Sequence, residues 1–226
     1  MKDEALREDL IATCRALTAR GLTHGKSGNV SIRRDANTFL ISPTGIPYDQ
    51  LQTADIPVMN FAGTWFGAKR PSSEWRFHLD ILCARPDAAA IVHTHSRHAT
   101  ALACTGQGIP AFHYMVAVAG GSDIRCAPYS TFGTQALSDH ALAALNDRKA
   151  CLLANHGVIA LGSDLTAALN LVGEVENLAS QYTVGLRLGN LRILDAAEME
   201  TVVKKFATYG RQDAPEEGLV FGGDRI

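Results

Sequence analysis

His93 and His95 are separated by one residue and end the apolar run at 88–92. On a strand, positions i and i+2 face the same way, so two imidazoles at this spacing can converge on one ion. A third histidine, His156, occupies the turn Asn155-His156-Gly157 after the run Cys151-Leu152-Leu153. Three neutral imidazoles favour Zn2+, or a neighbouring divalent ion such as Mn2+ or Co2+, and keep one coordination position open for substrate. Histidines at this spacing also occur as polar residues at a partly exposed strand end, so spacing alone leaves both roles open. Glu74, in PSSEWRFH, adds a carboxylate. The pattern predicts it in the first turn of a helix, where the dipole favours an anion. It is then either a capping residue or a carboxylate beside the metal that can move a proton on carbon.

Three turns rich in glycine and hydroxyls supply a second chemistry: Ser27-Gly28-Asn29, Thr44-Gly45 and Ser72-Ser73. Each offers backbone N–H groups or hydroxyls to an anion, and the last opens a helix. Lys26 adds a charge beside the first. The same residue types are also the ordinary material of turns and caps. Gly25-Lys26-Ser27 imitates the end of a nucleotide-binding P-loop, but Arg20 stands where that motif needs glycine. The segment before it also reads as helix, whereas a P-loop follows a strand.

The elements that must position these groups follow from periodicity. Leu6, Leu10, Ile11, Cys14 and Leu17 predict a helix over 3–20, stopped by Gly21. NVSIRR and NTFLISP alternate like a hairpin, and DIPVMNF with GTWFGAKRP like a second short pair. A helix capped by Ser72 or Ser73 runs to Pro86, and 87–96 is a strand leading into the histidines. A short helix follows over 97–106. Further on come a helix over 133–148, a strand and turn around His156, a long helix over 164–189 and a last one from 196. Hairpins mixed with helices predict a mixed, mostly antiparallel sheet flanked by helices.

Bulk properties remove several classes of function. The chain has 226 residues, 46% of them hydrophobic and 19% charged, with a formal net charge of -2. That balance argues against a nucleic acid or an anionic membrane as partner, so any phosphate must be met by a local site. The five scattered cysteines include no C-x-x-C pair and read as reduced thiols of a cytoplasmic protein. The charged N-terminal segment lacks the apolar core of a signal peptide, and no run approaches the roughly 18 apolar residues that span a bilayer.

Taken in order, GKSGNVSIR, ISPTGIPY, PSSEWRFHL, RPDAAAIVHTHSRH, IPAFHYMVAVAGGSDIRCAPYSTFGT, NHGVIALG and KFATYG cover the chain nearly to residue 210. With these motifs the sequence strongly resembles the class II aldolase/adducin family. The resemblance implies a single three-layer α/β/α domain over 1–210, a C-terminal tail over 211–226, and a homotetramer with active sites at subunit interfaces. It implies reversible cleavage of a ketose 1-phosphate, of the L-fuculose 1-phosphate type, to dihydroxyacetone phosphate and an aldehyde. His93, His95 and His156 would bind zinc, with Glu74 as an extra ligand or the acid/base. Gly28, Asn29, Thr44, Gly45, Ser72 and Ser73 would match the phosphate cradle. Tyr114 looks like a proton donor supplied across the interface, and Phe132 and Tyr209 like aromatic residues at the aldehyde end.

Two positions depart from the pattern. Lys26 replaces an expected small hydroxyl residue, and the long tail carries Leu219, Val220 and Phe221, able to close over the aldehyde end. A 5-deoxyribulose or 5-methylthioribulose 1-phosphate is the alternative substrate. Ketopentose-phosphate 4-epimerases and sugar-acid decarboxylases resemble the chain in the same histidines. The non-catalytic adducin branch discards the metal residues, whereas His93, His95, His156 and Glu74 are all present here.

Overall fold

The computed structural model describes residues 2–206. The amphipathic N-terminal pattern forms α1 (Lys2–Ala19), stopped by Gly21 in the left-handed region at φ 68°. Two hairpins follow, β1 (Asn29–Arg33) with β2 (Thr38–Ile41), then β3 (Val58–Asn60) with β4 (Trp65–Phe66). Next come α2 (Trp75–Ala84), β5 (Ala90–Thr94), α3 (Arg97–Ala103), β6 (Arg125–Ala127), α4 (Gln135–Ala144), β7 (Ala150–Leu153) and β8 (Gly157–Gly162). The chain continues through the longest helix, α5 (Leu165–Leu188), and α6 (Ala196–Phe206).

The strands form one 8-stranded sheet in the order β4-β3-β2-β1-β5-β8-β7-β6. Every pairing is antiparallel except β6 with β7, which run parallel because α4 carries the chain back between them. Alternation along the strands divides the core in two. Val30, Ile32, Val92, Val158 and Ala160 face α1, α3 and α5; Ile41, Ile91, Ile159 and Leu161 face α2 and α4. Helices on both faces of a mixed sheet give the three layers expected from the sequence.

Two details differ from the sequence reading. The helix expected to open at Ser72 or Ser73 starts at Trp75, so Glu74 lies just before the first turn, with φ -102° and ψ 18°. The cause is a tight turn in which the Trp75 N–H donates to the Ser72 carbonyl at 3.1 Å. That turn delays the helical repeat and frees the carboxylate from capping. The other is β6, unforeseen because three residues, Arg-Cys-Ala, are too few to show alternation. Tyr209, the tail at 211–226 and its Leu219, Val220 and Phe221 lie outside the described residues.

Candidate active site

The centre of the sheet brings distant residues together. In the β1–β5 register Asn29 lies opposite His93, and in the β5–β8 register His93 lies opposite Ile159. His95 follows the end of β5, and His156 precedes β8 in a turn that needs Asn155 at φ 56°. Gly157 makes that turn possible: a Cβ there would stand 2.3 Å from the Thr94 carbonyl oxygen and 2.9 Å from His95 Cδ2. Glu74 reaches the same point from the turn before α2.

These four side chains form one group of ligating residues, with donor atoms all within 4.8 Å of one another. His93 Nδ1 lies 2.9 Å from the Val158 carbonyl oxygen, an acceptor only, so Nδ1 carries the hydrogen and Nε2 presents a lone pair. That lone pair faces His95 Nε2 at 3.1 Å and Glu74 Oε2 at 3.3 Å. Glu74 Oε1 lies 3.1 Å from His156 Nε2, yet it is buried and lacks a properly directed hydrogen bond. Electron pairs converging in a buried site repel unless a proton or a cation lies among them.

The surroundings keep Glu74 ionised and His95 neutral. Burial pushes the Glu74 carboxyl up, but His93 and His156 outweigh it and hold the group well below the usual carboxylate range. Burial and the neighbouring His93 and His156 depress His95 to about 4, so its ring is neutral and free to ligate near neutral pH. Three imidazoles, one carboxylate and a backbone carbonyl fixing one tautomer fit a divalent transition metal.

The same cleft, about 320 Å³, contains the cradle expected for phosphate. Gly28, Asn29, Thr44, Gly45, Ser72 and Ser73 all line it, with Lys26 and Ser27 beside them. Ser72 Oγ accepts from the Glu74 N–H at 3.2 Å, which leaves its own hydrogen free to donate to a ligand. Tyr129, Ser130 and Phe132 line the same cleft, and Tyr129 and Phe132 are exposed. Gly133 packs this aromatic loop onto the cradle, since a Cβ there would approach the Ser73 carbonyl oxygen to 2.8 Å. A larger cleft of about 500 Å³, lined by Met115, Lys149 and Glu174, contains none of these groups. Size does not identify the site; the convergence of ligating groups does.

Tyr114 is not brought into this cleft. It is 47% exposed at the start of a 3-10 helix (Tyr114–Ala119), stacked on the His113 ring at 4.9 Å. Asn29 also does more than line the cradle, because its Nδ2 donates to Glu74 Oε2 at 2.9 Å. Sequence reasoning missed Tyr129 and Asn155. Tyr129 stands three residues before Phe132, and Asn155 is the left-handed residue beside His156, so proximity to residues already singled out was their available signal.

Comparison with known proteins gives the same picture over nearly the whole chain. The profile of the Class II Aldolase and Adducin N-terminal domain family matches residues 8–183. A 5-methylthioribulose-1-phosphate/5-deoxyribulose-1-phosphate aldolase of Rhodospirillum rubrum is 54% identical over 206 residues, 91% of this chain and 93% of that protein. The L-fuculose phosphate aldolase of Escherichia coli K12 is 46% identical over 211 residues, 93% of this chain and 98% of that protein. A solved L-fuculose 1-phosphate aldolase superposes with a TM-score of 0.87 at 40% identity, covering 90% of this chain and 96% of that one. The chain belongs to the class II aldolase and adducin family.

Proposed function

We propose that the protein is a zinc-dependent aldolase that cleaves a ketose 1-phosphate reversibly to dihydroxyacetone phosphate and an aldehyde, with L-fuculose 1-phosphate as the type of substrate. One observation carries this reading: a single cleft joins a hydroxyl-rich cradle, three imidazoles with Glu74, and an aromatic end. That combination suits a phosphorylated triose with its carbonyl at the histidines and the departing aldehyde near Tyr129 and Phe132.

His93, His95 and His156 would hold the ion, with Glu74 beside them. When bound, the metal supplies electrophilic polarisation of the ketose carbonyl and a counter-charge for electron density gained by the triose. Ser72, Ser73 and Thr44 grip the phosphate through neutral donors, and Lys26 adds charge at the rim. Glu74 exchanges the proton on the triose carbon; Oε2 is already engaged by Asn29, so Oε1 is the oxygen left for that work. Tyr114, exposed and outside the cleft of its own subunit, suits a proton donor to the aldehyde oxygen of a neighbour. That role fits a homotetramer whose active sites lie at subunit interfaces. Among the described residues no helix is long and apolar enough to cross a membrane, consistent with a cytoplasmic enzyme.

The relative at 54% identity favours a second substrate reading, 5-deoxyribulose or 5-methylthioribulose 1-phosphate, which share the triose end and carry a less polar aldehyde. The deciding experiment gives metal-replete protein L-fuculose 1-phosphate and 5-deoxyribulose 1-phosphate in parallel. Dihydroxyacetone phosphate is read through an NADH-consuming dehydrogenase, with a chelator control. Chelator-sensitive product is expected, and the larger kcat/KM identifies the substrate. No product from either, with metal bound, would replace the aldolase reading with an epimerase or decarboxylase.

A further inference from the structure

Behind the cleft, a row of side-chain hydrogen bonds runs from the middle of β1 to Glu74. His78, on α2, is completely buried, and both of its ring nitrogens are engaged. Nδ1 lies 2.7 Å from Ser31 Oγ, and Nε2 lies 2.5 Å from Asn29 Oδ1. Asn29 in turn donates through Nδ2 to Glu74 Oε2 at 2.9 Å. Ser31, Asn29 and Glu74 are themselves buried.

The direction of this row is forced. An amide oxygen only accepts, so the hydrogen of the neutral ring is on Nε2. Nδ1 is then an acceptor, and the Ser31 hydroxyl donates to it. Burial, reinforced by the nearby His93, holds the ring down to about 3, so it stays neutral at ordinary pH. Asn29 is satisfied in one orientation alone. Turned over, its oxygen would face the Glu74 carboxylate and its N–H groups would face another N–H, two repulsive contacts among buried groups.

We propose that His78 is a positioning residue for the cleavage reaction, acting through the Asn29 carboxamide so that only N–H donors face Glu74 and the cleft. Asn29 Nδ2 carries two hydrogens. One holds Oε2 of Glu74, which reserves Oε1 for the proton, and the other is left to donate from a residue that lines the cleft. A carboxylate and an anionic substrate both require donors there, and His78 guarantees that they are met. His78 itself touches neither substrate nor metal. The inference rests on the role proposed for Glu74.

The test uses full-length, metal-replete protein and six forms: wild type, Ser31→Ala, His78→Gln, His78→Phe, Asn29→Ala and the His78→Phe/Asn29→Ala pair. Nitrogen-15 NMR of histidine-labelled wild type is expected to show His78 as the neutral Nε2–H tautomer from pH 5.5 to 8. A Nδ1–H tautomer would overturn the proposal whether or not the enzyme is active on the chosen sugar. In kinetics, His78→Phe should lower kcat about tenfold or more with little change in KM or metal content, while His78→Gln, which keeps a donor, recovers most of it. In the Asn29→Ala background His78→Phe should add less than about twofold, because its route of action is gone. Losses that multiply independently, or that follow metal loss, refute the positioning role. Should His78→Phe not fold, Ser31→Ala and a further Ser31→Ala/Asn29→Ala pair take its place: lower kcat with Asn29 present and no added effect without it. A wild type that binds metal, shows the expected tautomer and cleaves no ketose 1-phosphate counts against the aldolase reading instead.

Discussion

The backbone carbonyl oxygen of His93 lies 2.7 Å from the point where a Cβ on Gly28 would stand. The turn that starts the proposed phosphate cradle and the strand that carries the first histidine are therefore in backbone contact, with Gly28 held at φ 84°. Replacing Gly28 by alanine adds left-handed strain, of order 1–3 kcal/mol, and pushes on His93 at the same time. Gly28→Ala should lower the melting temperature, weaken metal affinity and raise KM together. Gly45→Ala is the control: its φ of 77° brings the strain, but nothing lies within 4 Å of the new methyl group. It should lose stability and keep its metal, as melting curves and metal titration will show.

His95→Ala removes one ligating nitrogen from a set with little redundancy. Activity should fall by more than about a thousandfold, with loss of bound metal measured by elemental analysis. Prolonged chelation of the wild type should give the same loss, reversed by adding Zn2+.

Glu74→Gln keeps the shape and an oxygen for the site while removing the base. Metal content should persist, and exchange of solvent deuterium into dihydroxyacetone phosphate should slow by about 10²- to 10⁴-fold. Full turnover by this variant would end the role assigned to Glu74.

The metal-free protein should lose stability in acid over a definite window. His95 and His78 are held to about 4 and about 3 in the fold, below the ordinary imidazole value of 6.5. Unfolding frees both rings to take up protons, so the folded state is at a growing disadvantage as pH falls below about 6.5. Glu74, depressed in the fold, adds its own loss at lower pH, once the unfolded carboxyl near 4.5 begins to protonate. Urea midpoints should be level from pH 8 to 7 and decline steadily from 6.5 to 5. His78→Gln should flatten part of that decline, and an unchanged midpoint at pH 5 would contradict it.

If Tyr114 serves a neighbouring subunit, two dead variants can rescue each other. Tyr114→Phe and His95→Ala, unfolded together in equal amounts and refolded, should regain about a quarter of wild-type activity, since one interface in four joins two intact halves. No recovery from mixed oligomers would place the tyrosine's work within one chain or dismiss it.

Much of this arrangement was legible in the residues, for physical reasons that differ from place to place. The apolar run into His93 announced a buried strand, and i, i+2 spacing was enough to put two imidazoles on one side. Glu74 was recognisable as a carboxylate near a helix start, but not the turn at Ser72 that sets it one residue outside the helix, because a single i to i+3 bond leaves no periodic trace. Asn29 reads in the sequence as a turn residue. Its link to His78 depends on β1 and α2 meeting across the sheet, which spacing does not encode. The same is true of His78, which in the sequence is only a polar residue within a helical pattern. Tyr114 shows the other limit, since a residue proposed to act in a second subunit is only an exposed aromatic in a single chain.

His93 donates to the carbonyl of Val158, 65 positions further along the chain. During synthesis, a ribosome that has released β5 but not yet residues 156–158 therefore holds a chain with His93 and His95 made, but without the third histidine of the cluster or the carbonyl that fixes the His93 tautomer. On the proposed reading, metal capture would wait until about 70% of the polypeptide has emerged. Uptake of the ion during translation would thus report closure of the central three strands, and arrest before residue 156 should yield nascent chains that scavenging chelators strip completely.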